Sequence, residues 1–144
     1  CRTRREGYQE EVFWSRIARA VEAVRIPVAG NGSAWLHSDL ERMRRETGCA
    51  FVMVGRGALR DPWIFSGRDV PTSEAAAFLH EYAQVLETLG APRRAAVGRV
   101  KQLLQYWEAG RLVGDPEGRE RWLRDSDTEG FLSRLASLAA PALS

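Results

Sequence analysis

At 144 residues, 44% hydrophobic and 28% charged, the chain can build one ordinary domain or two small ones, and its composition excludes wholesale disorder. No apolar run approaches the ~18 residues of a membrane helix, and the opening Cys1-Arg2-Thr3-Arg4-Arg5 lacks the apolar core of a signal peptide, so a cytoplasmic setting is expected. A formal charge of +2 does not by itself establish nucleic-acid binding, and Cys1 and Cys49, far apart and without a C-x-x-C, exclude a cysteine-built metal site or disulfide framework.

In chain order, Phe13, Ile17, Val21 and Val24 recur at helical spacing within 12–25. A β-rich run, Ile26-Pro27-Val28-Ala29, follows and closes on Gly30-Asn31-Gly32-Ser33. Ser38-Asp39-Leu40-Glu41 has capping-box spacing and predicts a helix start; Leu40 and Met43 carry its apolar stripe, and Thr47-Gly48 ends it. Cys49, a small buried residue by its context, leads into Ala50-Phe51-Val52-Met53-Val54, which closes on Gly55-Arg56-Gly57. Unalternating apolar runs predict strands buried on both faces, as in a parallel sheet. The first part of the chain therefore reads as α/β.

The polar stretch Ser66-Gly67-Arg68-Asp69-Val70-Pro71 reads as a linker, and no convincing strand lies beyond it. A helix capped by Thr72 or Ser73 is expected to run to Leu89, with Phe78, Leu79, Tyr82, Leu86 and Leu89 inward. A second, from Arg93 to Ala109, sets Val97, Val100, Leu103, Leu104 and Trp107 on one arc. Two shorter helices are expected over 116–124 and 128–139, separated by Asp125-Ser126-Asp127. Residues 72–144 thus predict a small antiparallel helical bundle, without internal repeats.

Two glycine turns about one βα unit apart, Gly30-Asn31-Gly32-Ser33 and Gly55-Arg56-Gly57, suit a phosphate site at the end of a (β/α)8 barrel. Glycine lets main-chain amides approach phosphate oxygens, and the short helical stretch after Ala58 adds its N-terminal dipole. Each turn alone is a weak signal that a structural turn explains more readily, and it is the pair at one βα spacing that brings the phosphate reading level with it. Of the 21 basic residues only Lys101 is lysine; arginine's planar fork suits phosphate, and genome composition accounts for the same bias. Between Glu87 and Glu108 stand Arg93, Arg94, Arg99 and Lys101 and no acid. At ~100° per residue Arg94, Lys101 and Gln105 share one flank, a phosphate-contacting edge or a solvated helix face. His37 and His80 lack partners at metal-ligand spacing and suit surface or packing roles. Trp14, Trp63, Trp107 and Trp122 suit apolar faces, and Trp35 beside the first glycine turn stays open.

The segment Val52-Met53-Val54-Gly55-Arg56-Gly57-Ala58-Leu59-Arg60-Asp61-Pro62-Trp63-Ile64-Phe65 is similar to the string that closes the barrel of tRNA-dihydrouridine synthases. Ile26-Pro27-Val28-Ala29-Gly30-Asn31-Gly32 resembles that family's preceding strand and turn, and Arg2-Thr3-Arg4 with Gly7-Tyr8 resembles its "HGRTREQGY" segment. Gly98-Arg99-Val100-Lys101-Gln102-Leu103-Leu104 is similar to a helix of the bacterial C-type enzymes, and Asn31-Gly32-Ser33-Ala34-Trp35 resembles their turn.

The resemblance implies the C-terminal portion of an FMN-binding TIM barrel over 1–66 and an all-α helical tRNA-binding domain over 67–144. It implies FMN reduced by NADPH, a tRNA uridine as substrate, and cofactor contacts from Asn31, Gly32, Ser33, Gly55, Arg56 and Gly57, with Ala58 continuing the cradle. Arg2, Arg94, Arg99 and Lys101 are the candidate substrate-binding residues; a rim ion pair is the alternative for Arg2. Three departures stand out: Cys1 takes the place of a motif glycine, the histidine before it is absent, and Ser33 replaces a usual acid. The family's general-acid cysteine lies outside this chain, so the chain alone is expected to be inactive, to hold little flavin and to self-associate through exposed strand edges. The alternatives are a stand-alone RNA-binding helical module and another phosphate-binding barrel.

Overall fold

A computed structural model describes residues 13–140, which divide into two compact units. One comprises the chain up to Ala58 together with Ile64–Gly67; the other comprises Leu59–Trp63 and the chain from Arg68 onward. No described helix is long and apolar enough to cross a membrane.

In the first unit the order is helix, strand, helix, strand: α1 (Ser15–Ala23), β1 (Ala29–Asn31), α2 (His37–Thr47), β2 (Phe51–Met53), followed by the short α3 (Arg56–Arg60). The strands are parallel, pairing Ala29 with Phe51, Gly30 with Val52 and Asn31 with Met53. The first strand is later and shorter than its β-rich run, because Pro27 has no amide to give. The Val28 carbonyl opens the pairing, accepting from the amides of Ala50 (2.9 Å) and Phe51 (3.3 Å). Ile17, Ala34, Met43 and Cys49 form the core of this unit. Gly30 is where α2 meets the sheet, since a Cβ there would lie 2.8 Å from Met43 Sδ and 3.0 Å from Cys49 Sγ.

The expectation of strands buried on both faces is corrected. Gly30 is buried, but Phe51 and Met53 are 60% and 56% exposed and Ile26 is 73% exposed. The pleat turns alternate residues to opposite faces, and within the described residues helices cover only one of them. The described residues thus show two parallel strands with helical cover. The start of α2 also differs from the Ser38–Glu41 box: the capping carboxylate is Asp39, accepting from the amides of Trp35 (2.9 Å) and Leu36 (3.0 Å). Gly48, at φ 70°, ends the helix as expected, its amide donating to the Arg44 carbonyl at 2.8 Å.

The second unit is a bundle of α4 (Thr72–Thr88), α5 (Arg93–Leu104), α6 (Pro116–Arg124) and α7 (Thr128–Ala139), with a 3-10 turn at Ala109–Arg111. Its core joins Leu79, Val100, Leu104, Trp107, Phe131 and Leu135, each fully buried. Helix α4 buries Ala75, Ala76, Leu79 and Ala83, whereas Phe78 and Leu89, expected inward, are 40% and 78% exposed. The alanine face lets α5 and α7 approach α4 closely, so small residues do the packing that apolar periodicity assigns to large ones. Thr72 is the first helical residue rather than the cap, and its hydroxyl donates to the Gly110 carbonyl at 2.6 Å.

Helix α5 stops at Leu104, short of Ala109; Trp107 is fully buried from the following loop, its indole N–H donating to the Ala109 carbonyl at 3.0 Å. Helices α6 and α7 begin alike. Asp115 accepts from the Gly118 amide (2.7 Å) and Asp127 from the Gly130 amide (3.0 Å). Each such cap contributes about 1 kcal/mol. Both sit in an Asp-x-Glu-Gly sequence, and a side chain at either glycine would collide at 2.3 Å, with the Val113 carbonyl oxygen or with the cap carboxylate.

Candidate functional site

Because β1 and β2 run parallel in register, the turns at Gly32 and Gly55 leave the same end of the sheet. Gly32 has φ 144° and Ser33 φ 47°, a left-handed conformation uncommon for a serine. The Gly32 carbonyl accepts the indole N–H of Trp14 at 2.9 Å, and the Arg42 guanidinium covers that indole at 4.8 Å. Helix α1 thus pins the first turn through a residue 18 positions away. Gly57 joins the two turns, since a Cβ there would stand 2.5 Å from the Ala34 carbonyl oxygen and 2.9 Å from Val54 Cγ1. Gly55 is the opposite case: it is exposed, with open space where its side chain would be.

Of the expected cofactor residues, Asn31, Gly55 and Arg56 are exposed, Gly32 and Ser33 half-buried, and Gly57 buried. Arg56 lies over the Trp35 ring at 5.1 Å. Asp39, the nearest acid in sequence after the first turn, is spent on the amides of Trp35 and Leu36 and on Arg42 at 3.0 Å. Asn31 and Arg56 thus expose a carboxamide and a guanidinium at this end, side chains able to donate to an anion. Gly57 contributes by packing, because its surface is already occupied by Ala34. His37 is structural: its Nδ1 is 2.8 Å from the Ile64 carbonyl oxygen, and Gly67 leaves room for its ring. No cluster that could hold a metal ion is found among the described residues.

The cations of α5 are engaged differently from one another. Lys101 is half-buried, and its ammonium donates to the carbonyls of Leu123 (3.2 Å) and Asp125 and faces the Phe131 ring at 5.5 Å. Its ammonium thus lies at the C-terminal end of α6, bonded to main-chain carbonyls rather than projecting into solvent. Arg93 bridges Glu87 and Glu129 at 2.8 Å each, and hydrogen bonds from its guanidinium to those carboxylates hold its pKa above the ordinary arginine value. Arg99 is exposed, giving one N–H to Gln102 at 3.1 Å, and Arg94 is exposed without a partner among the described residues. Arg2 lies outside the described residues. Replacing Lys101 by alanine should cost about 1–3 kcal/mol of unfolding free energy, because two carbonyls lose a charged donor. Arg94→Ala should stay within about 0.5 kcal/mol of the parent, and urea melts of the two variants check the contrast.

Two residues of the site carry no sequence signal for their roles: Trp14 as a brace for the first turn and Trp35 as the platform under Arg56. Both make contacts between loops, and no spacing rule encodes them.

A model of the dihydrouridine synthase (Dus) family matches residues 1–107. The chain is similar to the tRNA-dihydrouridine(16) synthase of Ralstonia nicotianae, 36% identical over 161 aligned residues that cover 99% of this chain and 48% of that protein. It is also similar to the tRNA-dihydrouridine(16) synthase of Cupriavidus necator, 49% identical over 64 residues covering 44% of this chain and 20% of that protein. A probable tRNA-dihydrouridine synthase of Aquifex aeolicus is 33% identical over 126 residues, covering 83% and 38%. The chain spans about half the length, or less, of the curated relatives it matches.

Proposed function

This chain belongs to the dihydrouridine synthase family, and from that premise we propose that it supplies the phosphate-gripping turns and the RNA-docking helices of an enzyme that reduces a tRNA uridine to dihydrouridine. The observation that carries the reading is the pair of glycine turns at one end of a parallel sheet, locked together where Gly57 meets the Ala34 carbonyl. In this proposal residues 1–66 close a TIM barrel and residues 67–144 dock tRNA. The target is the uridine at position 16, after the names of the relatives.

The donors offered to the FMN phosphate in this reading are the main-chain amides of Gly32, Gly55 and Arg56, the Asn31 carboxamide and the Arg56 guanidinium. When bound and reduced by NADPH, FMN supplies the hydride for the uracil ring. The part of this chain is to hold and orient. Trp14 fixes the Gly32 carbonyl, and the Trp35 ring lies under the Arg56 guanidinium. Ser33, lacking the usual carboxylate, leaves the local charge more positive. By the family resemblance Arg2 is assigned to the substrate, Arg94 and Arg99 to RNA, while Lys101 holds the bundle together. The enzyme works in the cytoplasm, and the chain alone is inactive and self-associates through the uncovered face of Phe51 and Met53.

The test is to express the whole protein that carries this chain in a host stripped of dihydrouridine synthases and to read dihydrouridine in purified tRNA by mass spectrometry. Dihydrouridine should reappear at position 16. Its absence from every tRNA would sink the reading.

A further inference from the structure

The helical unit contains a depression that neither the glycine turns nor α5 uses. A cavity of about 380 Å³ opens beside the turn at 111–114, lined by the apolar side chains of Leu112, Val113, Trp122 and Leu138 and by Arg111, Arg121 and Arg134. Among the described residues no carboxylate lines it. A second cavity of about 400 Å³ shares Arg111, Val113 and Gly114 with the first and adds Arg119. Its one acid, Glu108, is already paired with Arg60.

Several features prepare this double cavity for a ligand. Arg134 is held by Asp125 and lies 4.5 Å over the Trp122 ring, so its guanidinium is ordered in advance. Arg119 donates from one terminal nitrogen to the Trp107 carbonyl at 2.8 Å, while its Nε is buried with no hydrogen-bond partner. Gly114, at φ 66°, has open space in place of a side chain, and Arg111 is held at φ 51°.

Apolar walls and the plane of the Arg134 guanidinium accept a flat ring, guanidinium edges accept a phosphate, and no free carboxylate among the described lining residues favours a cation. A phosphate-linked aromatic ring meets all three conditions, and an RNA strand presents it with a second phosphate for the adjoining cavity. We propose that this double cavity binds a nucleotide of the RNA substrate, its base on the Trp122–Leu138 side and its phosphate at Arg111. The inference rests on the reading of the protein as a tRNA-acting enzyme and adds where the helical unit grips the strand.

The experiment measures binding of a fluorescein-labelled tRNA transcript and of a short oligouridylate to the whole protein that carries this chain and to its Arg111→Gly/Arg121→Ala variant. Glycine suits the left-handed backbone at 111, so the variant removes two guanidinium groups without adding strain. Both RNAs should bind about tenfold more weakly, with a log–log salt slope smaller by roughly 0.7 for each phosphate that the variant no longer neutralises. In parallel, RNA carrying 4-thiouridine should cross-link to the parent within residues 111–122. Parent-like affinity in the variant, or cross-links confined elsewhere, overturns the pocket and leaves the tRNA reading standing. Failure of the parent to bind either RNA overturns the pocket together with the assignment of the bundle to RNA.

Discussion

Gly57→Ala should lower the unfolding free energy of the α/β unit by about 2 kcal/mol, while Gly55→Ala, two residues earlier, should leave it nearly unchanged. Both positions are glycine in one short turn, and neither has a left-handed backbone. What separates them is space. A methyl group at 57 would stand 2.5 Å from the Ala34 carbonyl oxygen, a backbone atom that cannot swing aside, and 2.9 Å from Val54 Cγ1. Alanine's better helix propensity returns up to about 1 kcal/mol within α3, which is less than the overpacking costs. At 55 the methyl group meets no atom within 4 Å. If the phosphate of FMN uses that space, Gly55→Ala in the whole protein loses bound flavin while keeping its stability. Flavin absorbance per mole of purified protein, read beside a urea melt, separates the two effects. A Gly55→Ala protein with full flavin content would remove the second turn from the cofactor site.

Trp107→Ala should have the largest effect on folding of any single change in the bundle, about 3–5 kcal/mol. The indole is fully buried, lies edge-on to Trp63 at 6.2 Å, stacks on Phe78 at 5.9 Å and donates to the Ala109 carbonyl. Truncation removes all of these interactions and leaves a cavity where α4, α5 and the 109–111 turn meet. Trp107→Phe keeps an aromatic ring and gives up the N–H donor, so a smaller effect of about 1–2 kcal/mol is expected. The chain divides into two compact units, so the denaturation curve should be followed by near-ultraviolet and far-ultraviolet circular dichroism together. A Trp107→Ala chain with an unshifted helical transition would show that the loop tryptophan is dispensable to the bundle.

The sequence carries the type of most elements and the bounds of some. Helices α6 and α7 occupy the expected 116–124 and 128–139, because an aspartate cap and a glycine three residues on punctuate each start. Helix α5 reads too long because Trp107 continues the apolar period past the helix end, although the expectation that it is buried holds. Burial on α4 falls to alanines, which hydrophobic periodicity underweights, and the strands are one-sided because helices cover only one of their faces within the described residues. At the candidate site, the contiguous run from Val52 to Phe65 carries the family resemblance. The bond from Trp14 to Gly32, the placement of Arg56 over Trp35 and the carbonyl-capping use of Lys101 each depend on where distant loops come to rest. Charge counting along one helix cannot see that Leu123 and Asp125 claim Lys101.

The sulfur of Cys49 lies beneath Gly30, where only hydrogen fits, and the thiol is free and buried. A maleimide therefore reaches it only after α2 lifts from the strand. The labelling rate of that one thiol, followed peptide by peptide, is a built-in clock for opening of the sheet end that carries the turns, and it needs no introduced residue.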